Sequence, residues 1–138
     1  MKLSIIVPVL NSHEIVRRSL LHYRKMNLPD DVEILYIDDG SDPPIEYDIP
    51  NPLIALRNFR ILKTNDKRDW TWALARNFGA KKAKGEYLLM CDLDYIIPKK
   101  AIECALEFTG DKLRFKREFG ILDETGDFTQ DIDRKSVV

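Results

Sequence analysis

Glycine pairs two residues apart, clustered cysteines, long apolar runs and a surplus of either charge are all missing from this sequence. The six glycines, at 40, 79, 85, 110, 120 and 126, form neither G-x-G-x-x-G nor a Walker A loop. A nicotinamide dehydrogenase and a P-loop NTPase are therefore poor readings. Cys91 and Cys104 have no metal-ligand spacing, so a reduced, cytoplasmic setting is expected, with a disulfide between them left open. No apolar run approaches the roughly 18 residues that span a membrane. The Leu3 to Leu10 run is broken by Pro8 and is too short for a signal-peptide core. Lys and Arg total 22 against 23 Asp and Glu, without the basic surplus of a dedicated nucleic-acid binder. At 138 residues the expected organisation is one domain, without internal repeats.

What is present alternates strand and helix. Ser4-Ile5-Ile6-Val7 reads as a central parallel strand that Pro8 closes to further pairing. Asn11 then opens a helix from about Ser12 to Met26, with Glu14 as a capping-box partner and Ile15, Val16, Leu20 and Tyr23 on its inner face. Val32 to Ile37 is a second strand, ending at Asp38-Asp39-Gly40-Ser41. Four of the seven prolines, at 43, 44, 50 and 52, mark a surface excursion before a third strand at Phe59 to Leu62. Asp69 is placed to cap a helix from Trp70 to about Lys84, with Ala73, Leu74, Asn77, Phe78 and Ala80 inward and Gly85 as its C-terminal cap. Glu86 to Cys91 is a fourth, buried strand. A helix beginning near Pro98 carries Ala101, Ile102, Ala105 and Leu106. Leu113 to Phe119 alternates like a half-exposed strand, and Asp123-Glu124-Thr125-Gly126 reads as a hairpin turn. The expected fold is a doubly wound α/β domain: a mainly parallel sheet, helices on both faces, and an antiparallel hairpin near the C-terminus.

Two acidic clusters then fall at equivalent places. Asp38-Asp39 follows the second strand, and Asp92-Leu93-Asp94 follows the fourth. In a parallel sheet both emerge at the strands' carboxyl edge, where open α/β sheets bind ligands. A second acidic triplet, Asp131-Ile132-Asp133, lacks a preceding strand and is set aside. Without a glycine-rich phosphate loop, phosphate is expected to be bound through a divalent cation, and carboxylate oxygens suit Mg²⁺ or Mn²⁺.

Four blocks carry a resemblance: Ser4 to Asn11, Asp38-Asp39-Gly40-Ser41, Ala75-Arg76-Asn77-Phe78-Gly79-Ala80, and Ala83-Lys84-Gly85-Glu86-Tyr87 running into Asp92-Leu93-Asp94. In order and spacing the chain resembles the GT-A glycosyltransferases of family 2. The match covers about residues 1–110, leaving 111–138 as the start of an acceptor half or a C-terminal hairpin. The resemblance implies transfer of a sugar from a nucleoside diphosphate donor, a UDP-sugar favoured, to an unidentified acceptor hydroxyl, with inversion and with Mn²⁺ or Mg²⁺. It implies that Pro8 and Leu10 cradle the nucleoside, Asp39 reads the base edge, and Asp38 and Gly40 shape their loop. Asp92 would meet the ribose and Asp94 the metal, with Asp92 beside it. Arg76 would meet phosphate or sugar, or is a surface or packing arginine. The family's general base lies in the acceptor half, and no convincing candidate stands within these 138 residues. Nucleotide binding with poor transfer by the chain alone is therefore expected.

Two other readings stay in view. One is a non-catalytic nucleotide-sugar-binding or assembly module that keeps the fold. The other is a nucleotidyltransferase, which would need a Gly- and Lys/Arg-rich loop where Pro8-Val9-Leu10-Asn11 stands. Trp70 and Trp72 either stack on a ligand or pack, and His13 and His22 read as solvent-facing or packing residues. The basic residues Lys112, Arg114, Lys116 and Arg117 form either the wet face of a strand or a site for an anionic acceptor or membrane surface.

Overall fold

Uninterrupted β-branched and leucine runs need cover on both faces, and the two such runs here lie side by side at the sheet centre. The computed structural model describes residues 1–50, 58–66, 68 and 72–130. In it Leu3–Val9 (β1) and Val32–Asp38 (β2) pair in parallel along their whole length, from Leu3↔Val32 to Val9↔Asp38. Phe59–Lys63 (β3) joins outside β2 and Tyr87–Met90 (β4) outside β1, giving the order β3-β2-β1-β4 with all pairs parallel. His13–Met26 (α1) and Lys99–Glu107 (α3) cover one face through Val16, Leu20, Tyr23, Ile102 and Ala105, against Leu3, Ile5, Val7, Ile34 and Tyr36. Trp72–Lys82 (α2) covers the other, where Ala75 meets Ile6, Leu35 and Ile37. Gly120–Leu122 (β5) and Phe128–Gln130 (β6) form a separate antiparallel hairpin. The expected three-layer α/β fold with a C-terminal hairpin is the observed one.

Several local expectations need correction. Pro8 does not end β1; it sits within the strand opposite Ile37, and only the pairing with β4 stops, after Ile6↔Met90. Alternation explains this: Val9 C=O faces β2, accepting Asp39 N–H at 2.9 Å, so the missing Pro8 N–H faces β4. The chain after Cys91 is thereby free to turn away. Asn11 and Glu14 form no capping box. Ser12 occupies the cap position without a side-chain capping bond, its hydroxyl donating instead to Leu10 C=O at 3.0 Å. Asn11 Oδ1 accepts Asp42 N–H at 2.9 Å, and Glu14 pairs with Arg18. On α1 the buried stripe is Val16, Ser19, Leu20 and Tyr23, and Ile15 is exposed. On α2, Ala73, Leu74 and Asn77 are exposed, and the small Ala75 and Gly79 let the helix close onto Ile6 and Ile37. Among the described residues β4 is the edge strand of the sheet rather than a buried one, with Leu88 and Met90 exposed on the face that α2 leaves uncovered. Residues 113–119 form no strand beyond an isolated bridge at Arg117. Asp69, Trp70 and the side chain of Trp72, together with Asp131-Ile132-Asp133, lie outside the described residues.

Buried hydroxyls and a thiol are held neutral inside the α1/α3 face. Tyr36 shares a 2.5 Å hydrogen bond with Ser19, and the Tyr23 hydroxyl accepts Ile97 N–H at 3.3 Å. Burial pushes both phenols up, and with help from Asp92 and Asp94 it pushes the Cys91 thiol from 9.0 up to about 12. A raised folded value leaves stability intact below the unfolded value and removes it as pH climbs toward the folded one. The urea midpoint is therefore expected to hold to about pH 8 and to fall steadily toward about pH 11. A midpoint constant over that range would contradict neutral burial of these groups.

Candidate functional site

The carboxyl edge of the sheet gathers what the sequence scattered. β1 ends in Pro8, Val9 and Leu10, which with Ser12, Asp39, Arg76, Asp92, Leu93 and Asp94 line a cleft of about 410 Å³. β2 and β4 flank β1, so Asp39 and the Asp92–Asp94 loop form opposite walls. Such a volume lies within the roughly 300–1,000 Å³ of small-molecule sites.

Each wall is built by short local bonds. Both carboxylate oxygens of Asp38 accept backbone N–H groups, of Ser41 and of Ile45, each at 2.9 Å. Asp38 is buried, is not among the residues lining the cleft, and shapes the loop through these two bonds. Gly40 has φ +98°, a left-handed conformation that a side chain would strain, which places glycine after the two acids. Asn11 N–H donates to Ser41 Oγ at 2.9 Å, tying the β1 exit to this loop. Asp39 is nearly buried and accepts Thr64 Oγ1 at 2.9 Å. Across the cleft, Tyr95 N–H donates to Asp92 C=O at 3.0 Å, and the protonated Cys91 Sγ reaches the carbonyls of Asp92 and Tyr95 at 3.2 and 3.4 Å. This turn holds Asp92 and Asp94 outward, both exposed.

Arg76, from α2, donates from Nη2 to Asp92 Oδ1 at 2.5 Å, and its buried Nε has no hydrogen-bond partner among the described residues. An unpartnered donor at the lip of a cleft is an open seat for an anionic oxygen. The Asp94 carboxylate makes no hydrogen bond or ion pair among the described residues. These residues also contain no ready group of three or more His, Cys, Asp or Glu for a metal. That donor set suits a cation held by one or two carboxylates and completed by substrate phosphate, as Mg²⁺ often is, rather than a preformed protein cage. Asp94 is the ligand it offers, with Asp92 already shared with Arg76.

Of the residues singled out on sequence, Pro8, Leu10, Asp39, Arg76, Asp92 and Asp94 meet at this cleft. Val9, Ser12 and Leu93 also line it and were not singled out; being neighbours in sequence, they needed only the strand ends to be drawn. Asp123 and Asp127 stand at the hairpin turn, where Asp123 Oδ1 accepts the Thr125 and Asp127 N–H groups, each at 2.9 Å. The hairpin is held against α1 by Arg18 and Lys25, away from the cleft lining. His13 Nε2 and His22 Nε2 contact the carbonyls of Pro43 and Ile97 at 2.6 and 3.2 Å. No helix among the described residues is long and apolar enough to cross a membrane.

Comparison with known proteins places these residues in a wider set. The sequence model described as glycosyl transferase family 2 matches residues 4–112. An uncharacterized glycosyltransferase of Rickettsia conorii is 33% identical over 111 residues, which cover 78% of this chain and 17% of that protein. Glycosyltransferase GlyG of Streptococcus pneumoniae is 29% identical over 101 residues, covering 73% of this chain and 33% of the relative. Among solved structures, S. aureus TarS 1-349 superposes with TM-score 0.61 at 28% identity, covering 76% of this chain and 31% of that one. The same protein solved with UDP-GlcNAc superposes with TM-score 0.57 at 27% identity, covering 76% and 30%. The chain spans between 17% and 41% of the length of the curated relatives it matches.

Proposed function

This chain belongs to glycosyl transferase family 2, and from that premise we propose that its cleft binds a nucleoside diphosphate-sugar, UDP-sugar favoured, together with Mn²⁺ or Mg²⁺. The observation that carries the reading is the meeting of an apolar strand end, a nearly buried acid and an unengaged acid around one cleft. Pro8 and Leu10 offer the base an apolar seat, and the Asp39 carboxylate offers its edge an acceptor for an N–H. In this reading Asp92 meets the ribose, Asp94 the cation, and the buried Arg76 Nε a phosphate or sugar oxygen. When bound, the cation supplies positive charge to the diphosphate that departs from the sugar. Complexes of S. aureus TarS with UDP and with UDP-GlcNAc support this choice of donor.

The reaction proposed is inverting transfer to an acceptor hydroxyl, which a general base must deprotonate. Among the described residues, the carboxylates lining the cleft are Asp39, Asp92 and Asp94, all assigned to the donor. The base is therefore proposed to come from outside this set, in an acceptor-binding part of the kind the family carries. That same observation favours a second reading, a module that binds nucleotide-sugar without transferring it. The setting proposed is cytoplasmic, where the free thiols Cys91 and Cys104 stay reduced.

Calorimetric titration with UDP, GDP and CDP, each with and without Mn²⁺, tests the donor reading. UDP with Mn²⁺ is expected to bind tightest. Asp39→Ala should weaken UDP by about ten- to a hundredfold, the order of one hydrogen bond to a charged group. It should also narrow the UDP-over-GDP preference. Unchanged base preference in that variant would remove Asp39 from base recognition, and indifference to every nucleotide would overturn the reading.

A further inference from the structure

Lys112-Leu113-Arg114-Phe115-Lys116-Arg117 carries four cations with no acid between them. Five other described arginines are locally neutralised, Arg17 by Asp48, Arg18 by Glu14, Arg60 by Glu33, Arg68 by Asp66 and Arg76 by Asp92, while Arg24 stands alone on α1 among the described residues. Lys112, Arg114 and Lys116 hold no carboxylate among the described residues. Unneutralised, exposed charge of one sign produces a local field that attracts the opposite sign.

Position gives this charge a direction. At one end, Lys112, Leu113 and Phe115 border a groove of about 320 Å³ with Tyr87–Met90 on the open side of β4. At the other, Arg117 Nη1 donates to the Tyr95 hydroxyl, and the guanidinium stands 5.5 Å from that ring's centroid. Tyr95 follows Asp94 directly and belongs to the turn that presents it. The run thus leads along the outer flank of the sheet to the donor cleft. Phe115 and Tyr95 are 38% and 36% exposed, leaving aromatic faces between the cations. Aromatic faces stack on apolar ring surfaces, and cations beside them pair with acidic groups. The two patches differ in charge: the cleft lining carries three acids against one cation, Arg76, and the strip beside it carries four cations.

We propose that Lys112–Arg117, with Tyr95, is a docking strip for an acidic polysaccharide acceptor whose reactive end is led toward Asp94. This rests on the donor reading of the cleft and deepens it by giving the acceptor a chemical class. The exposed aromatics favour a chain of sugar rings bearing carboxylates over a lipid surface.

The test titrates the whole chain with alginate oligosaccharides, with neutral dextran oligosaccharides of equal length, and with vesicles rich in phosphatidylglycerol. UDP–Mn²⁺ is titrated in parallel. Alginate is expected to bind, more weakly as salt is raised, and dextran is not. The double variant Arg114→Glu/Lys116→Glu should lose about tenfold or more in alginate affinity, with UDP–Mn²⁺ affinity and the thermal midpoint unchanged, because both side chains are exposed and unpaired. Equal binding of dextran, alginate affinity untouched in the double variant, no alginate binding, or vesicles bound in preference to alginate would each overturn the proposal. If UDP–Mn²⁺ binds and alginate does not, only this inference falls. If UDP–Mn²⁺ fails, the acceptor assignment falls with its premise even where alginate binds.

Discussion

Asp94→Ala is expected to abolish the gain in UDP affinity that Mn²⁺ confers, a loss of about a hundredfold when the metal is present and little when it is absent. The size follows from removing one charged contact of about 1.5–3 kcal/mol from a site that has few others. Asp94 offers the clean test because its carboxylate is exposed and makes no bond among the described residues. Its removal should leave the thermal midpoint within about a degree or two, as for surface substitutions away from structural bonds. Asp92→Ala differs in kind. It frees Arg76 from its 2.5 Å ion pair as well as removing an oxygen ligand, so it should change the metal-free affinity too. Equal behaviour of the two variants in calorimetry would contradict the separate roles assigned to them.

Gly85→Ala is expected to destabilise the domain by about 2–4 kcal/mol, through overpacking and disrupted hydrogen bonds. A Cβ there would stand 2.5 Å from Ser4 N, 2.6 Å from Ser4 Oγ and 2.7 Å from Leu3 C, so backbone of the central strand would have to move. The same residue donates its N–H to Ser4 Oγ at 2.8 Å, and Ser4 Oγ in turn donates to Glu33 Oε1 at 2.6 Å. That oxygen also accepts Lys84 N–H at 2.7 Å, and Arg60 reaches the other at 3.1 Å. Burial works against the Glu33 charge, but these donors outweigh it and bring the carboxyl below its ordinary value. One added methyl thus disturbs a buried, fully used carboxylate at the foot of the sheet. Gly110→Ala is the control: its Cβ would meet the far end of the Phe108 ring at 2.7 Å, which can rotate aside, and the cost should stay below about 1 kcal/mol. Urea denaturation of the two variants with the wild type measures both. Equal costs would contradict the close-approach account of Gly85.

The same residue shows where reading from sequence stops. On sequence Gly85 serves as a helix cap, because a glycine after a lysine-rich helix end is a common cap. The helix ends at Lys82, and what demands glycine is the backbone of β1, more than eighty positions earlier in the chain. The succession of strands and helices, the central place of the first strand and the shared carboxyl edge were legible, since apolar runs, their spacing and the acids that follow them are local signals. Tertiary choices were not. Ile15 and Leu74 have helical spacing suited to burial, yet packing leaves them exposed and buries Ser19 and Gly79 in their place. Asp38 and Asp39 are adjacent acids that composition and spacing do not separate. Only the resemblance assigns one to the loop and the other to the base, and the fold braces the loop with Asp38 and lines the cleft with Asp39. The edge position of β4 was hidden for a related reason. Its apolar composition matches a buried strand, and cover depends on how far α2 reaches.

The central claim is that one cleft holds the base at Pro8 and Asp39 and the diphosphate through a cation at Asp94. A crystal structure of the chain grown with UDP and Mn²⁺, with anomalous scattering to locate the metal, tests it most directly. The account predicts uracil between Pro8, Leu10 and Asp39, and a manganese peak bridging the diphosphate and an Asp94 oxygen. Uridine bound elsewhere, or manganese on the diphosphate with Asp94 turned away, would contradict it.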